Sequence, residues 1–510
     1  MFEVRAFIEM GGLMRRTRWI LLVFVFLALL PESSFEAQIN LSTPATTLQK
    51  PDKTIIAALQ KRLPELMNGA NVPGVSLALI RDGKTFWSQG FGVRDAKSGQ
   101  PVTEDTIFEA ASLSKPVFAY AVLKLVDQGK LDLDRPLSQY LETPYIEGDE
   151  RLNAITARYV LSHRTGFPNW RGNNPLTIRF APGERFSYSG EGFVYLGKVV
   201  MHITGRSLND FMSEEVFTPL GMTSSSYIWR DDYDARTATG HGSSGQPEEK
   251  TKPTVENPAT SLHTTARDYA LFLDAVLRGT GLKSETLKQM ETSQVAVDPE
   301  CTNCTDRAPK ELSKTISWGL GFGIQSTRDG ESLWHWGDNG NFKCFFEVYP
   351  KQKIGLVMFT NGDNGLSIAG EVIHIALGSE QPAFDWLKYE RYDSPSMQFA
   401  KAVQEKGPSP AIAEFRSALM RGDISERSIN TLGYQLLGSK QTTQAIRIFQ
   451  LNVELFPQSS NVYDSLGEAY LDTGDKDLAI QNYKRSLDLD PKNSNAAEML
   501  KKITTQTSAN

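Results

Sequence analysis

FEAASLSKPVFAYAVLKLVDQGKL, residues Phe108 to Leu131, runs from a loop into an amphipathic helix and carries Ser112-Leu113-Ser114-Lys115 at the junction. One helical turn separates Ser112 from Lys115, so both side chains lie on one face. A lysine so placed can take the serine's proton if its surroundings lower the ammonium pKa. The helix N-terminus adds N–H groups and a positive field beside the anion that forms. S-x-x-K by itself also occurs by chance at surface helix starts, so its weight comes from the rest of the chain.

Upstream, apolar residues recur at helical spacing from Ile55 to Met67. VSLALI (Val75–Ile80), RDG and TFWSQGFGV then read as two strands joined by a turn. Downstream, the pattern predicts helices over about 114–129, 191–204 and 265–278, then strands near Leu320–Ile324, Phe342–Tyr349 and Ile354–Thr360. Strands at both ends with helices between them predict an α+β domain whose sheet is closed by both chain ends.

Two further stretches bear chemistry. PGERFSYSGEGFVYLGKVV (Pro182–Val200) places Tyr188 in Y-S-G after a Pro-Gly turn and ahead of a helical run. A tyrosine there is suited to relay a proton to a leaving group. LWHWGDNGNFKCFFEVYP (Leu333–Pro350) sets His335-Trp336-Gly337 beside a glycine-rich turn and ahead of a strand-like run. Gly337 is expected to let a substrate backbone lie close against that strand.

In this order the three motifs resemble those of the serine β-lactamases and penicillin-binding proteins. The branch they are most similar to holds class C β-lactamases, D-aminopeptidases, DD-carboxypeptidases and related esterases. LDLDRPLSQYL, ITARYVLSHRTGFP, FTPLGM, SLHTTARDYALFL, WGLGFGI and GLVMFTNGDN resemble the family as well. The resemblance implies a β-lactamase-like fold, an antiparallel sheet flanked by helices plus an all-helical subdomain, over residues 54–378. It implies that Ser112 attacks a carbonyl, that Lys115 and Tyr188 handle the proton, and that the N–H groups of Ser112 and Asp338 form an oxyanion hole. His335 and Gly337 stand at the strand motif and are expected to bind the substrate.

Two departures bear on the substrate. His335 replaces the lysine of many relatives, which predicts a pH-dependent charge. Gly190 replaces the asparagine of Y-x-N, which removes an amide partner and predicts weak β-lactam turnover. An ester, a D-amino-acid peptide and a β-lactam all remain open as substrates, and the loops Asn169–Thr177 and Ser243–Thr254 are expected to shape the pocket. No metal or cofactor is expected. An α/β-hydrolase would need G-x-S-x-G, which is absent. The alternative of another class is an inactive hydrolase-like protein whose repeats recruit a partner, against which stand the intact Ser112, Lys115 and Tyr188.

Past residue 380 the pattern becomes wholly helical. Leu432, Gly433, Ala445, Phe449 and Pro457 recur as Leu466, Gly467, Ala479, Tyr483 and Pro491, each after 34 residues, the period of tetratricopeptide repeats. Small Gly and Ala let paired helices approach while Phe or Tyr fills the groove. An earlier degenerate pair, Ser396–Met420, is expected to pack against them. Residues 425–505 are thus read as repeats that bind a protein partner, and 379–424 as linker and degenerate helices.

At the N-terminus, Arg15, Arg16 and Arg18 precede a twelve-residue apolar run, Trp19–Leu30. Residues 1–37 read as an export signal or retained anchor, placing the protein in the periplasm or outside the cell, with a possible membrane tether through 19–30. Residues 38–53 read as a flexible spacer. The 510 residues exceed what one core serves, and 40% apolar with 22% charged is a globular composition. A net charge of -6 offers no broad basic surface, so no nucleic-acid partner is expected. Cys301 and Cys304 form a C-x-x-C without the setting of a redox helix or a second ligand pair for zinc, leaving a short-loop disulfide or two loop thiols. Cys344 is expected to be a small core residue.

Overall fold

The computed structural model describes residues 51–507. Helix α1, Asp52–Ala70, buries Ile55, Leu59, Leu63 and Leu66 along one stripe and ends at Asn71 in the left-handed conformation. Strands β1 (Gly74–Arg81) and β2 (Lys84–Asp95) turn at Asp82-Gly83, both at positive φ, which matches the twist of a tight hairpin. A short β3 (Gln100–Pro101) follows. The sheet resumes only after a long, mostly helical stretch, with β4 (Val295–Ala296), β5 (Ile316–Trp318), β6 (Gly323–Thr327), β7 (Gly330–Asp338), β8 (Lys343–Tyr349) and β9 (Ile354–Thr360).

The nine strands lie in the order β3-β2-β1-β9-β8-β7-β6-β5-β4 and all pair antiparallel. First and last segments therefore meet mid-sheet, with Val75 opposite Thr360 and Ile80 opposite Gly355. Both faces are covered, which is why VSLALI shows almost no polar alternation. Val75, Leu77 and Leu79 pack in one core with α1 and α5 (Ala369–Leu377). Ala78 and Ile80 face the other core, with α2 (Ser114–Asp127), α3 (Gly190–Thr204) and α4 (Ala266–Arg278).

Two expectations change. The single strand near Leu320 is two, because the chain breaks at Gly319–Phe322, where Gly321 (φ 89°) approaches Ala119 of α2 so closely that a Cβ would stand 2.2 Å from it. His335-Trp336-Gly337 lie within β7, and the glycine-rich turn begins after them.

Beyond α5 come α6 (Pro382–Leu387), α7 (Pro395–Lys406), two short helices, then α8 (Glu426–Gly438), α9 (Thr442–Leu455), α10 (Ser460–Asp472), α11 (Lys476–Leu489) and α12 (Ser494–Thr507). A Cβ on Gly433 would lie 2.4 Å from the Phe449 ring, and one on Gly467 3.1 Å from the Tyr483 ring. Each glycine thus gives the partner helix's ring its seat. Phe399, Val403, Ala411 and Leu419 of the preceding helices share a core with Ile429, Leu432 and Phe449. The module rests on the sheet domain through Lys401 to the Asn68 carbonyl (2.8 Å), Asn71 to Gln404 (3.3 Å) and Gln435 to Asp363 (3.2 Å). Among the described residues no helix is long and apolar enough to cross a membrane. The run Trp19–Leu30, with the export reading, lies outside the described residues.

Candidate active site

Ser112 sits on a turn that the rest of the fold holds in place. Ala111 before it has φ 46°, a left-handed conformation that a non-glycine residue keeps only when its surroundings impose it. The Ala110 N–H donates to the Leu262 carbonyl (2.8 Å), Ser114 Oγ donates to the Ala111 carbonyl (2.6 Å), and the Leu262 N–H returns a bond to Ser114 Oγ (3.0 Å). Tyr269 donates to the Leu113 carbonyl (3.0 Å), Tyr227 to that of Ser114 (2.7 Å), and the Cys344 thiol to that of Ala110 (3.0 Å). Gly337 belongs to this arrangement. A Cβ there would stand 2.3 Å from Cys344 Sγ and 2.7 Å from the Ala110 carbonyl oxygen. Its missing side chain makes room for the serine turn and not, as expected from the sequence, for a substrate backbone.

Lys115 is buried, with Nζ 2.9 Å from Ser112 Oγ and donating to the Ala259 carbonyl at 2.8 Å. Aromatic rings of Tyr188 (4.8 Å), Phe193 and Trp170 surround the amine. Desolvation pushes its pKa well below the ordinary 10.5, which frees a lone pair for the Ser112 proton. Tyr188 stacks on His163 (4.3 Å) and packs against Trp336 (4.7 Å). Its hydroxyl is buried without a well-aligned partner, and burial raises its pKa against the opposing pull of the neighbouring Ser112 hydroxyl. The phenol therefore keeps its proton. The neutral amine and the neutral phenol follow from the same dry pocket, because desolvation favours the uncharged form of each.

His335 is placed elsewhere than a substrate contact requires. It is fully buried behind the cleft wall, its Nδ1 is 2.6 Å from the Trp336 carbonyl oxygen, and desolvation followed by Lys115 pushes its pKa well below 6.5. At neutral pH it carries no charge with which to steer a ligand. His163, which sequence reasoning passed over, is buried and depressed for the same two reasons, with His335 adding to them. It accepts the Ser189 N–H at 3.0 Å and thereby fixes the entry to α3.

The cleft in front of Ser112 holds about 550 Å³, and Tyr188 and Asp338 line it as expected. β6 pairs with β7 only from Gly330 to Trp334, whereas β8 pairs with it up to Asp338. The outer edge of His335–Asp338 thus has no strand partner among the described residues. Gly190 is covered: its N–H donates to the Asn169 carbonyl (3.1 Å) and to Asn169 Oδ1 (2.9 Å), and a Cβ would meet the Trp170 indole at 2.4 Å. Next in the chain, Arg171 pairs with Glu191 at 2.8 Å and lies over the Tyr145 ring. Tryptophan fills the space that Gly190 seemed to leave empty.

The Asn169 loop does line the cleft, whereas Ser243 lines a different cavity. The C-x-x-C loop was not recognised as part of the site. Cys301 and Cys304 form a disulfide, Thr302 and Asn303 line the cleft, and the Thr302 carbonyl accepts the Tyr188 N–H at 2.9 Å. Leu387 and Tyr389, from the segment read as linker, line it too.

The Beta-lactamase family model matches residues 59–376, and a tetratricopeptide-repeat model matches 460–493. The chain is 24% identical over 335 residues to protein flp of Staphylococcus aureus (strain N315), covering 61% of this chain and 63% of flp. Against penicillin-binding protein 4 of Amycolatopsis lactamdurans it is 26% identical over 342 residues, 62% of this chain and 88% of that one. Among solved structures, the D-alanine carboxypeptidase AmpC of Burkholderia cenocepacia superposes with a TM-score of 0.54 at 20% identity, over 64% of this chain and 99% of the other. The octameric penicillin-binding protein homologue of Pyrococcus abyssi does so with 0.52 at 23% identity, over 69% and 82%. With its family match, its sheet order and its Ser112–Lys115–Tyr188 constellation, the chain belongs to the β-lactamase family and carries tetratricopeptide repeats at its C-terminus.

Proposed function

We propose that this protein is an exported serine hydrolase that forms an acyl-enzyme on Ser112. The observation that carries the reading is the 2.9 Å contact between Ser112 Oγ and a buried lysine amine whose pKa is strongly depressed. Lys115 takes the Ser112 proton as Oγ attacks the carbonyl carbon, and the developing oxyanion is met by the main-chain N–H groups of Ser112 and Asp338. Tyr188, its phenol protonated, passes a proton to the departing group. Water then attacks the ester on Ser112 and gives a proton to the Tyr188 phenolate, the C–Oγ bond breaks, and Lys115 returns its proton to Ser112 Oγ, which restores the free enzyme.

Small esters are the preferred substrates, with D-amino-acid derivatives second and β-lactams last. A cleft of about 550 Å³ suits a small molecule. Trp170, Trp336 and Leu387 line it among polar side chains such as Asn169, Asn257 and Thr302, a mixed wall with room for both ends of an ester. The indole on Gly190 leaves no seat for the amide side chain toward which a β-lactam's own amide would turn. An ester with a good leaving group needs that help least. The repeats take a protein partner, and residues 19–30 serve export or tethering.

Purified protein assayed on p-nitrophenyl acetate, D-alanyl peptides and nitrocefin, with fluorophosphonate labelling mapped by mass spectrometry, tests the reading. The highest kcat/KM is expected on the ester and the label on Ser112. Neither turnover nor label would return the chain to the alternative of an inactive interaction protein.

A further inference from the structure

The segment that follows the matched family region returns to the cleft. α6 is anchored on the sheet domain, with the Ala383 N–H donating to Gln325 Oε1 (3.0 Å) and Trp386 Nε1 to the Asp298 carbonyl (2.8 Å). Lys388 then turns the chain at φ 59°, and Tyr389 reaches Asp338, donating its hydroxyl to Oδ2 at 2.5 Å. The other oxygen, Oδ1, accepts the Gly340 N–H (2.8 Å) and Lys343 Nζ (2.5 Å), and Lys343 also pairs with Asp363 (3.0 Å). The Tyr392 N–H donates to the Ser367 carbonyl (3.1 Å). Between the two tyrosines, Glu390 accepts from Ser394 (2.9 Å) and from Ser428 (2.6 Å), the latter in the first full repeat helix.

These contacts matter because Asp338 ends the stretch of β7 that β6 leaves unpaired. A strand end with one neighbour lacks half of its ladder bonds, so its side-chain ties decide where its main chain points. The Tyr389–Asp338 bond is also a partition: Asp338, Leu387 and Tyr389 line both the catalytic cleft and a second cavity of about 1230 Å³ between the sheet domain and the helical module.

We propose that Tyr389 is a positioning residue for acylation, holding Asp338 so that its main-chain N–H faces the cleft beside that of Ser112. The working hydrolase unit then extends through Tyr392 and is braced by α8 through Ser428 and Glu390. This rests on the reading that the Asp338 N–H stabilises the oxyanion. Donors of that kind lose most of their effect when displaced by a fraction of an ångström.

Tyr389→Phe in the full chain removes one hydroxyl and keeps the ring. The expected result on p-nitrophenyl acetate is a kcat about tenfold lower with KM within about twofold, and fluorophosphonate labelling of Ser112 slowed by the same factor. Asp338→Asn should lower kcat at least as much, since it also weakens the ties to Lys343 and Gly340, and adding Tyr389→Phe to it should cost little more, because the Tyr389 tie acts through Asp338. A Tyr389→Phe protein with unchanged kcat, one changed only in KM, or two effects that multiply would each overturn the assignment while wild-type acylation stands. A wild type that neither turns over the ester nor takes the label overturns the acylation reading and the Tyr389 assignment together.

Discussion

The inner wall of the cleft is made by one short run, Ala111 to Lys115, with Tyr188 on the approach to α3, and the run is held by hydrogen bonds from Tyr227, Leu262 and Tyr269. The outer wall is made by Trp170, Thr302, Leu387 and Tyr389, which arrive from three separate segments. The inner wall needs a base, a nucleophile and an acid within one helical turn and one ring of each other, so the chemistry dictates both residue type and spacing. The outer wall has only to fill space and hold a strand end, which many residues at many positions can do. On the proposed mechanism, reactivity and substrate choice fall to different parts of the chain and should respond to different substitutions.

The largest effects belong to the inner wall. Ser112→Ala should abolish turnover, and Lys115→Ala should lower kcat by on the order of 10⁴-fold or more, with the fold kept in both as judged by circular dichroism. EDTA should change nothing, since no step assigned to these residues uses a metal. The dry setting of Lys115 also gives a pH dependence. Its amine must be neutral to act, so kcat/KM should fall as pH falls through its lowered pKa, by about a hundredfold over two units below it. That limb should lie far below the 10.5 of an ordinary lysine. His163 and His335 are depressed below 6.5, so the folded state binds fewer protons than the unfolded one in that range. Their neutral burial is without cost above about pH 6.5, and stability should decline as pH falls from there toward their folded-state pKa values. A melting temperature that stays level from pH 7 to pH 4 would contradict it.

Cutting the chain separates the walls. Because all proposed catalytic residues precede Gly340, a chain ending near residue 385 would by sequence reasoning keep its activity. Leu387 and Tyr389, which line the cleft, with Tyr389 bonded to Asp338, predict the opposite. A chain ending at residue 385 should lose about a hundredfold in ester kcat/KM, whereas one ending at Ser394 should lose far less. Equal rates in the two truncations would show that the linker wall is dispensable.

What was legible follows the same division. The hairpin, the nucleophile helix and the 34-residue repeat are written in local periodicity, and Ser112, Lys115 and Tyr188 in motif spacing. His335 was misplaced because an H-x-G beside a glycine-rich turn looks like a loop, whereas β7 runs through it with both faces covered. Gly337 was given the wrong task because a glycine announces close approach without naming what approaches. Thr302 and Tyr389 carried no signal, since only the folded chain brings them to Ser112, whereas Trp170 lies in the Asn169–Thr177 loop that is expected from the sequence to shape the pocket.

Trp170 makes a sharper test of substrate choice than Gly190 alone. Gly190→Asn would restore the amide of Y-x-N, but with the indole 2.4 Å from the new Cβ it should lower turnover of every substrate. Trp170→Ala opens the space. In the double variant the asparagine has room, and the nitrocefin-to-ester ratio should rise about tenfold over Trp170→Ala, the worth of one restored hydrogen bond. A ratio unchanged by the asparagine would mean that the amide has no part in selecting substrates here.

The smallest catalytic effect belongs farthest from both walls. Tyr483 is buried against Gly467 in the last repeat and shares a core with Ala479, Ala496 and Ile503. Tyr483→Ala empties a large site there, which typically costs about 3–5 kcal/mol in the unit that contains it. The loss should appear as an early, separate unfolding transition of the C-terminal helices, because the core joining α7 to α8 and α9 is a different one. Ser428 and Glu390 lie on that nearer core's side, so the tie from the first repeat to Tyr389 is left standing. Ester kcat should stay within about twofold of wild type below that first transition, the spread expected for well-separated sites. If kcat instead falls in step with the loss of the last repeat, the repeats act on the cleft as one body, and the division between the walls and the distal helices drawn from Phe449 and Tyr483 is wrong.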